Sequence, residues 1–469
     1  MRPASELPGL WPIPLVGRAL GFPRLFRDPL RILPQLHREY GEIAALNRGD
    51  ASLVCAFGPS HNQQLLPYAR TFEHFAELPM RVPADSALAR TQSNLTAING
   101  QTHRRQRRLM MPAFGKSATH GHRDDMVAVA ERHLAQWKPG QHIDIAQAML
   151  ELTLDVMTKC LFGLDPGGDA AELGSMGKEF LQRVISPATA LLPVGWPFTP
   201  YGKLLRLTER LERHLLTMIE SRREQGAEGR DVLSILVRAH DEDGSRLTDV
   251  ELIGNMGLLF VAGHETTAYA LTWALLLLAQ HPQVRADLHD ELSAELHGEA
   301  PTVEQLDRLP LLDAVVKESL RLLPPTYMMF VRRATEAFEL AGYELPAGSL
   351  VVLSPLITHH LPELYDQPQR FVPARWAERK VSPFEFLPFG AGPRLCLGAA
   401  FADQEIRLVL AMIMQRFAMG PADVGTIDVA PRGITMGPKE PISMALHRPD
   451  EAPRTAATVG GSVRDWVDW

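Results

Sequence analysis

The 469 residues are 45% hydrophobic and 22% charged, ordinary proportions for a globular protein with enough material for a large core. A net charge of -7 argues against nucleic acid as a partner. Three widely separated cysteines, Cys55, Cys160 and Cys396, argue against a disulfide framework and fit a reducing compartment.

No basic-then-apolar leader opens the chain, and no apolar run reaches the roughly 18 residues that a bilayer span needs. Residues 268–279 come nearest and fall short. The expectation is a cytoplasmic protein without a transmembrane anchor. Linkers, repeats and composition breaks are absent from the interior, so residues 1–448 read as a single domain. The polar, Pro- and Gly-containing residues 449–469 read as a flexible tail, Trp466 and Trp469 apart.

In chain order, prolines at 8, 12 and 14 mark an extended apolar lead-in. Residues 29–40 carry an amphipathic helical pattern, and residues 43–46 and 52–57 read as a β-hairpin. Residues 70–99 are irregular. His103 and Arg107 then lie four apart on one face of a basic helix. Residues 120–240 are helix-rich, interrupted by the apolar, Pro- and Gly-broken stretch 188–198.

The longest helix follows. Thr248-Asp249-Val250-Glu251 forms a capping box, and apolar periodicity continues to Gln280 before His281-Pro282 stops it. Its middle, Ala262-Gly263-His264-Glu265-Thr266-Thr267, places a glycine, an acid and two hydroxyls inside an apolar helix. Gly costs about 1 kcal/mol there relative to Ala, and a buried Glu must be paired, solvated or neutral. Glu318 and Arg321 lie three apart on a later periodic helix ended by Pro324-Pro325. Residues 338–345 and 349–353 read as a hairpin turning at Pro346-Ala347-Gly348, and residues 433–437 as the tip of another.

Residues 386–398 contain Cys396 in a Gly- and Pro-rich loop directly before an apolar helical run, residues 399–417. The glycines permit close approach to a flat, bulky group. A helix N-terminus favours the thiolate, the form that binds metal. By itself this could be a buried free cysteine beside a helix cap. The full pattern, Phe389-Gly390-x-Gly392-x-Arg394-x-Cys396-x-Gly398, resembles the haem-ligand loop of the cytochrome P450 superfamily. Further motifs match in the family's order: His103-x-x-x-Arg107, Glu265-Thr266, Glu318-x-x-Arg321 and Pro373-Ala374-Arg375-Trp376, with Trp where Phe is commoner. The resemblance runs from about residue 8 to 445.

That resemblance implies a mainly α fold with small β-sheets (α+β), its long central helix crossing a buried haem. It implies haem b (iron protoporphyrin IX) with Cys396 as the metal ligand, and Phe389, Gly390 and Arg394 of the same loop against the cofactor. His103, Arg107 and Arg332 would meet the propionates, Arg333 being the rival of Arg332. Ala262 and Gly263 would leave room over the haem, and Glu265 and Thr266 would be catalytic, delivering protons to dioxygen. Arg375 would join Glu318 and Arg321 in a structural triad. Residues 188–198 would form a mobile lid, and Arg104, Arg105 and Arg108 either a docking surface or a solvated face.

The activity implied is insertion of one oxygen atom from O2 into an apolar small molecule, by hydroxylation or epoxidation. Terpenoid, steroid, fatty-acid and polyketide-like compounds are all compatible with Leu258, Val261, Ala262, residues 326–330 and residues 434–436 as pocket walls. Electrons would come from a separate ferredoxin or flavodoxin, and the protein would be a monomer. Rival readings are a peroxide-using, isomerising or dehydrating haem-thiolate enzyme, against which Glu265-Thr266 argues, and a non-catalytic haem sensor.

Overall fold

A computed structural model describes residues 2–12, 21–78, 80–184, 186–224, 226, 228–377, 379–422, 425–451 and 459–469, the side chains of 21–23 excepted. The fold is mainly helical with small sheets, as expected. Its axis is the 32-residue helix Asp249–Gln280. The capping box forms: the Thr248 hydroxyl accepts the Glu251 N–H at 3.3 Å, and the Glu251 carboxylate accepts the Thr248 N–H at 2.9 Å. Every residue from Thr267 to Ala279 is buried, which a helix apolar on all sides requires. Helices Ile145–Phe162, Pro310–Leu322 and Ala399–Arg416 pack around it. Cys55 and Cys160 are buried core residues, as expected. Among the described residues no helix is long and apolar enough to cross a membrane.

The hairpin expected at 43–57 is present, Ile43–Ala45 pairing antiparallel with Leu53–Ala56. Leu350–Leu353, Arg332–Ala334 and Phe72–His74 extend it to a five-stranded sheet. The hairpin expected to turn at Pro346-Ala347-Gly348 is different. Phe338–Leu340 pairs instead with Tyr343–Leu345 around Ala341 and Gly342, whose φ values are 50° and 81°. Leu350–Leu353 leaves that ribbon and runs parallel to Leu53–Ala56. An alanine in the left-handed region carries no turn signal in sequence, so the real turn read as strand interior. The terminal hairpin, Val429–Arg432 with Thr435–Pro438, turns at Gly433 as expected.

Part of the segment expected as a flexible tail is packed. Residues 452–458, and 13–17 of the apolar lead-in, lie outside the described residues. Val459, Val463, Trp466 and Val467 are buried, Arg370 bridges Asp468, and a ring nitrogen of His360 lies 3.1 Å from the Trp466 carbonyl. A single short 3-10 turn, Ser462–Asp465, carries this packing, and glycines and charges between the four apolar side chains dilute the pattern in sequence.

Glu318 and Arg321 are fully buried. One Glu318 oxygen accepts Arg321 Nη2 at 2.8 Å, Arg375 Nε at 2.9 Å and the Val372 N–H at 3.0 Å. The other accepts Arg321 Nε and the Trp376 indole N–H, both at 2.9 Å. Arg321 also donates to the carbonyls of His359, Pro368 and Arg370. The departure from Phe at 376 therefore adds a hydrogen bond that a Phe could not make. Burial pushes the Glu318 pKa up, and the hydrogen bonds and charges of Arg321 and Arg375 outweigh it, so the net shift is downward. The carboxylate's contribution is complete above its unfolded pKa, about 4.3, and is lost as pH falls through the lower folded value. Glu318→Gln should lower stability by about 3–5 kcal/mol at neutral pH. Chemical denaturation across pH should show that difference narrowing below about pH 4.

Candidate active site

The cysteine loop folds through tight local bonds. The Cys396 N–H donates to the Phe389 carbonyl at 2.9 Å, and the Leu395 N–H to the Gly392 carbonyl at 3.0 Å. Gly390 and Gly392 have φ of 72° and 71°, the left-handed region that favours glycine. A Cβ on Gly392 would lie 2.5 Å from the Leu66 carbonyl oxygen. The far end of the loop is pinned where His359 Nε2 accepts the Leu387 N–H at 2.8 Å. Gly398 then caps the helix Ala399–Arg416.

Cys396 is exposed where Cys55 and Cys160 are buried, yet the desolvation of its surroundings raises its thiol pKa. The Gly398 N–H and the charge of Arg107 pull the other way, as a helix N-terminus should. Burial is the larger influence and the net shift is upward; a coordinated cation, being the largest local charge, would favour the thiolate. Among the described residues no three His, Cys, Asp or Glu side chains converge to hold an ion. Iron at Cys396 would therefore have to bring its other ligands with it, as haem does.

Around this loop lies a set of basic side chains, two of them arginines with a buried nitrogen that finds no hydrogen-bond partner. His103, on helix Gly100–Met110, and Arg332 are buried. Arg394 donates to the carbonyls of Leu95 and Ile98 at 2.7 and 2.8 Å and to Asn99 Oδ1 at 2.5 Å. His74, which the sequence analysis did not single out, faces Arg332 across the sheet, stacks on Phe330 and sets a ring nitrogen 3.3 Å from the Thr96 carbonyl. Only its position opposite Arg332 reveals it, because a three-residue strand carries too little periodicity to read.

Burial and mutual repulsion depress every member of the set. His74 falls to about 2 through burial and the charges of Arg332 and Arg394. His103 falls to about 4 through burial, Arg394 and Arg107. Burial brings Arg332 to about 9 and Arg394 to about 10, with like charges adding to it. Arg332 Nε and Arg394 Nε are buried without hydrogen-bond partners. Such a cluster fits a buried dianion, and the two carboxylates of haem are the right size and sign.

Strand alternation sends the rival arginines to opposite faces of the sheet. Arg332 points inward, whereas Arg333 pairs with Glu77 at 2.6 Å and lies over the Phe75 ring. Of the three arginines expected as either a docking surface or a solvated face, Arg105 pairs with Glu251 and Arg108 with Asp241, while Arg104 and Arg108 are both exposed.

In the long helix, Ala262 is exposed between half-buried Val261 and Gly263. The Thr266 hydroxyl donates to the Ala262 carbonyl at 2.8 Å, and Thr267 to the Gly263 carbonyl at 2.9 Å, so two successive hydroxyls fold back on the ladder. Gly263 has another role than leaving room over a haem. A Cβ there would lie 2.2 Å from Met157 Cε, so it serves close packing against helix Ile145–Phe162. Glu265 is half-buried, and its charge is felt by His264 and Tyr269.

Thr326 bridges Thr435, and Tyr327 donates to the Gly433 carbonyl at 2.6 Å, so the two loops expected to line a pocket do meet. Met328 and Met436, expected as walls, are wholly buried core residues, while Phe330 and Ile434 are half-buried. Met329 packs towards Gly390 of the cysteine loop.

The family model for cytochrome P450 matches residues 7–444. Cyclooctat-9-en-7-ol 5-monooxygenase of Streptomyces melanosporofaciens is 32% identical over 88% of this chain and 90% of its own length. Pentalenene oxygenase of Streptomyces avermitilis is 30% identical over 88% and 91%. A cyanobacterial CYP120A1 structure with retinoic acid bound superimposes with a TM-score of 0.83 at 26% identity, covering 96% of this chain and all of that one. Ordered motifs, architecture and relatedness over almost the whole length agree: the chain belongs to the cytochrome P450 family and is a haem-dependent monooxygenase.

Proposed function

We propose that haem b is held by Cys396 through its iron and by His103, Arg107, Arg332 and Arg394, with His74 beside them, through its propionates. The observation that carries this reading is the buried cationic cluster around the only cysteine that is not core. Haem, when bound, supplies the chemistry that places one oxygen atom of O2 in the substrate and releases the other as water.

The chain's own residues supply protons and position. Thr266 donates a hydrogen bond to the Ala262 carbonyl and its oxygen can accept one; rotation of the hydroxyl away from that carbonyl would free its proton for delivery while the oxygen accepts a replacement. Half-buried Glu265 brings them from solvent. Exposed Ala262 leaves the distal side open for substrate.

The substrate is a carbon-rich apolar compound of terpenoid kind. Relatives named for cyclooctat-9-en-7-ol and pentalenene, and the retinoic acid in a structural neighbour, support that class. Electrons come from a separate ferredoxin or flavodoxin.

The deciding test is the absorption spectrum of the reduced protein under carbon monoxide. The red-shifted Soret band of a thiolate complex, lost in Cys396→Ser, is the expected result. A histidine-type band indifferent to that substitution would remove the assignment. Arg332→Gln should speed haem loss to apomyoglobin by about tenfold or more, the scale of a lost charged hydrogen bond. Arg333→Gln should leave that rate unchanged, and equal effects would reject the inward role of Arg332. Thr266→Ala should cut product formation by up to about a hundredfold, with reducing equivalents recovered as hydrogen peroxide. Tight coupling in that variant would remove the proton-delivery role of Thr266.

A further inference from the structure

The packed end of the chain, residues 459–469, lies beyond the family-matched stretch 7–444 and bonds two distant parts of the fold. At one end it is sewn to the strand Val429–Arg432 and the residues before it. The Gly460 carbonyl accepts the Ile427 N–H at 2.9 Å, the Ser462 hydroxyl accepts the Val429 N–H at 3.0 Å, and Asp428 Oδ1 accepts the Ser462 N–H at 2.8 Å. Gly461, at φ 92°, passes so close that a Cβ would lie 2.4 Å from the Ile427 carbonyl oxygen. At the other end the Gln369 side-chain amide donates to the Asp465 carbonyl at 2.9 Å, and the Asp468 N–H to the Gln369 carbonyl at 2.8 Å. The Trp466 ring meets that of His360 edge-on at 5.3 Å. Between the two anchors the 3-10 turn Ser462–Asp465, with Val463 wholly buried, is a short, stiff spacer.

Each anchor carries part of the site. The hairpin of Val429–Arg432 with Thr435–Pro438 presents half-buried Ile434 at its tip, where the Met436 N–H donates to the Pro325 carbonyl at 2.8 Å. Residues 359–370 supply the three carbonyls that Arg321 gathers, and His359 holds Leu387 at the base of the cysteine loop. Gln369, which the terminal segment grips, sits between two residues whose carbonyls Arg321 takes, Pro368 and Arg370. Apolar contact alone would cover the surface, whereas directional bonds at both ends also fix the register of what they join.

We propose that residues 459–469 are a positioning strap, tying the hairpin that walls the pocket to the residues beneath the cysteine loop, with Gly461 and Gln369 setting its two anchors. The proposal rests on the reading that Cys396 binds haem iron with substrate against the hairpin. It is tested by hydrogen–deuterium exchange of the full chain as purified, read peptide by peptide in a mass spectrometer, beside the absorption of the reduced carbon monoxide complex. Wild type is compared with the chain shortened to residues 1–458, with Gly461→Ala, which collides with Ile427, and with Gln369→Ala, which removes the Asp465 bond. The two point variants keep the buried side chains and serve should the shortened chain fold poorly.

Exchange in the peptides covering residues 433–436 and 387–396 should rise about tenfold in the shortened chain and in Gly461→Ala, while helix Ile145–Phe162 keeps its protection. The red-shifted Soret band should decay about tenfold faster in the same variants. Gln369→Ala should raise exchange at residues 387–396 alone. A uniform rise along the chain, or a rise confined to residues 425–429 and 360–371, would overturn the proposal, because the segment would then contribute packing only. So would unchanged exchange. A wild-type spectrum without the thiolate shift would reject the haem reading, while the exchange pattern still decides the strap.

Discussion

A carboxylate buried among two arginines, an indole and a backbone amide is the constraint on which the cysteine side of this protein depends. Glu318 satisfies Arg321, Arg375, Trp376 and Val372 at once, and Arg321 in turn gathers three carbonyls from residues 359–370. An isolated buried charge would be prohibitive, and a half-paired one would be worse than an apolar core. Full satisfaction turns the network into a rigid peg. From it the chain passes through His359, whose ring fixes Leu387, into the loop that carries Cys396. Hydrophobic packing alone cannot impose such directionality on a loop rich in Gly and Pro.

The second organising feature runs the opposite way. His74, His103, Arg107, Arg332 and Arg394 are held together although burial pushes each pKa down, joined by the repulsion of neighbouring arginines at every one but Arg107. Nothing in the fold's own stability favours this arrangement. Arg394 is laced to the carbonyls of residues 95 and 98, so the cluster is positioned by neutral acceptors rather than neutralised by acids. Local unfavourable electrostatics maintained by surrounding structure is the signature of a binding site. Here a dianionic cofactor would relieve it.

The long helix combines both behaviours. From Thr267 onward it is an ordinary buried axis, apolar on every face. At Ala262–Thr267 the ladder shares its carbonyls with two hydroxyls, Gly263 admits Met157, and Ala262 opens outward. The helix keeps its continuity through the packed half and spends its irregularity on the half that faces the reaction.

Much of this was legible in the chain itself. Capping boxes, helix stops and the ordered short motifs depend on bonds between residues three or four apart, so sequence alone determined the long helix, the Glu318–Arg321 pair and the cysteine loop. Contacts between distant segments were decided only by the tertiary structure. Strand alternation in a sheet with a distant partner turned Arg332 inward and Arg333 outward, and brought the unsuspected His74 opposite. Gly263 reads as room for a cofactor until Met157, from another helix, fills the space. Met328 and Met436 read as pocket walls until burial makes them core. Val463 and Val467 read as a loose tail until Arg370 and His360 receive it. A short pattern encodes what a residue can do with its neighbours along the chain, whereas its role in the site depends on which remote surface the fold sets against it.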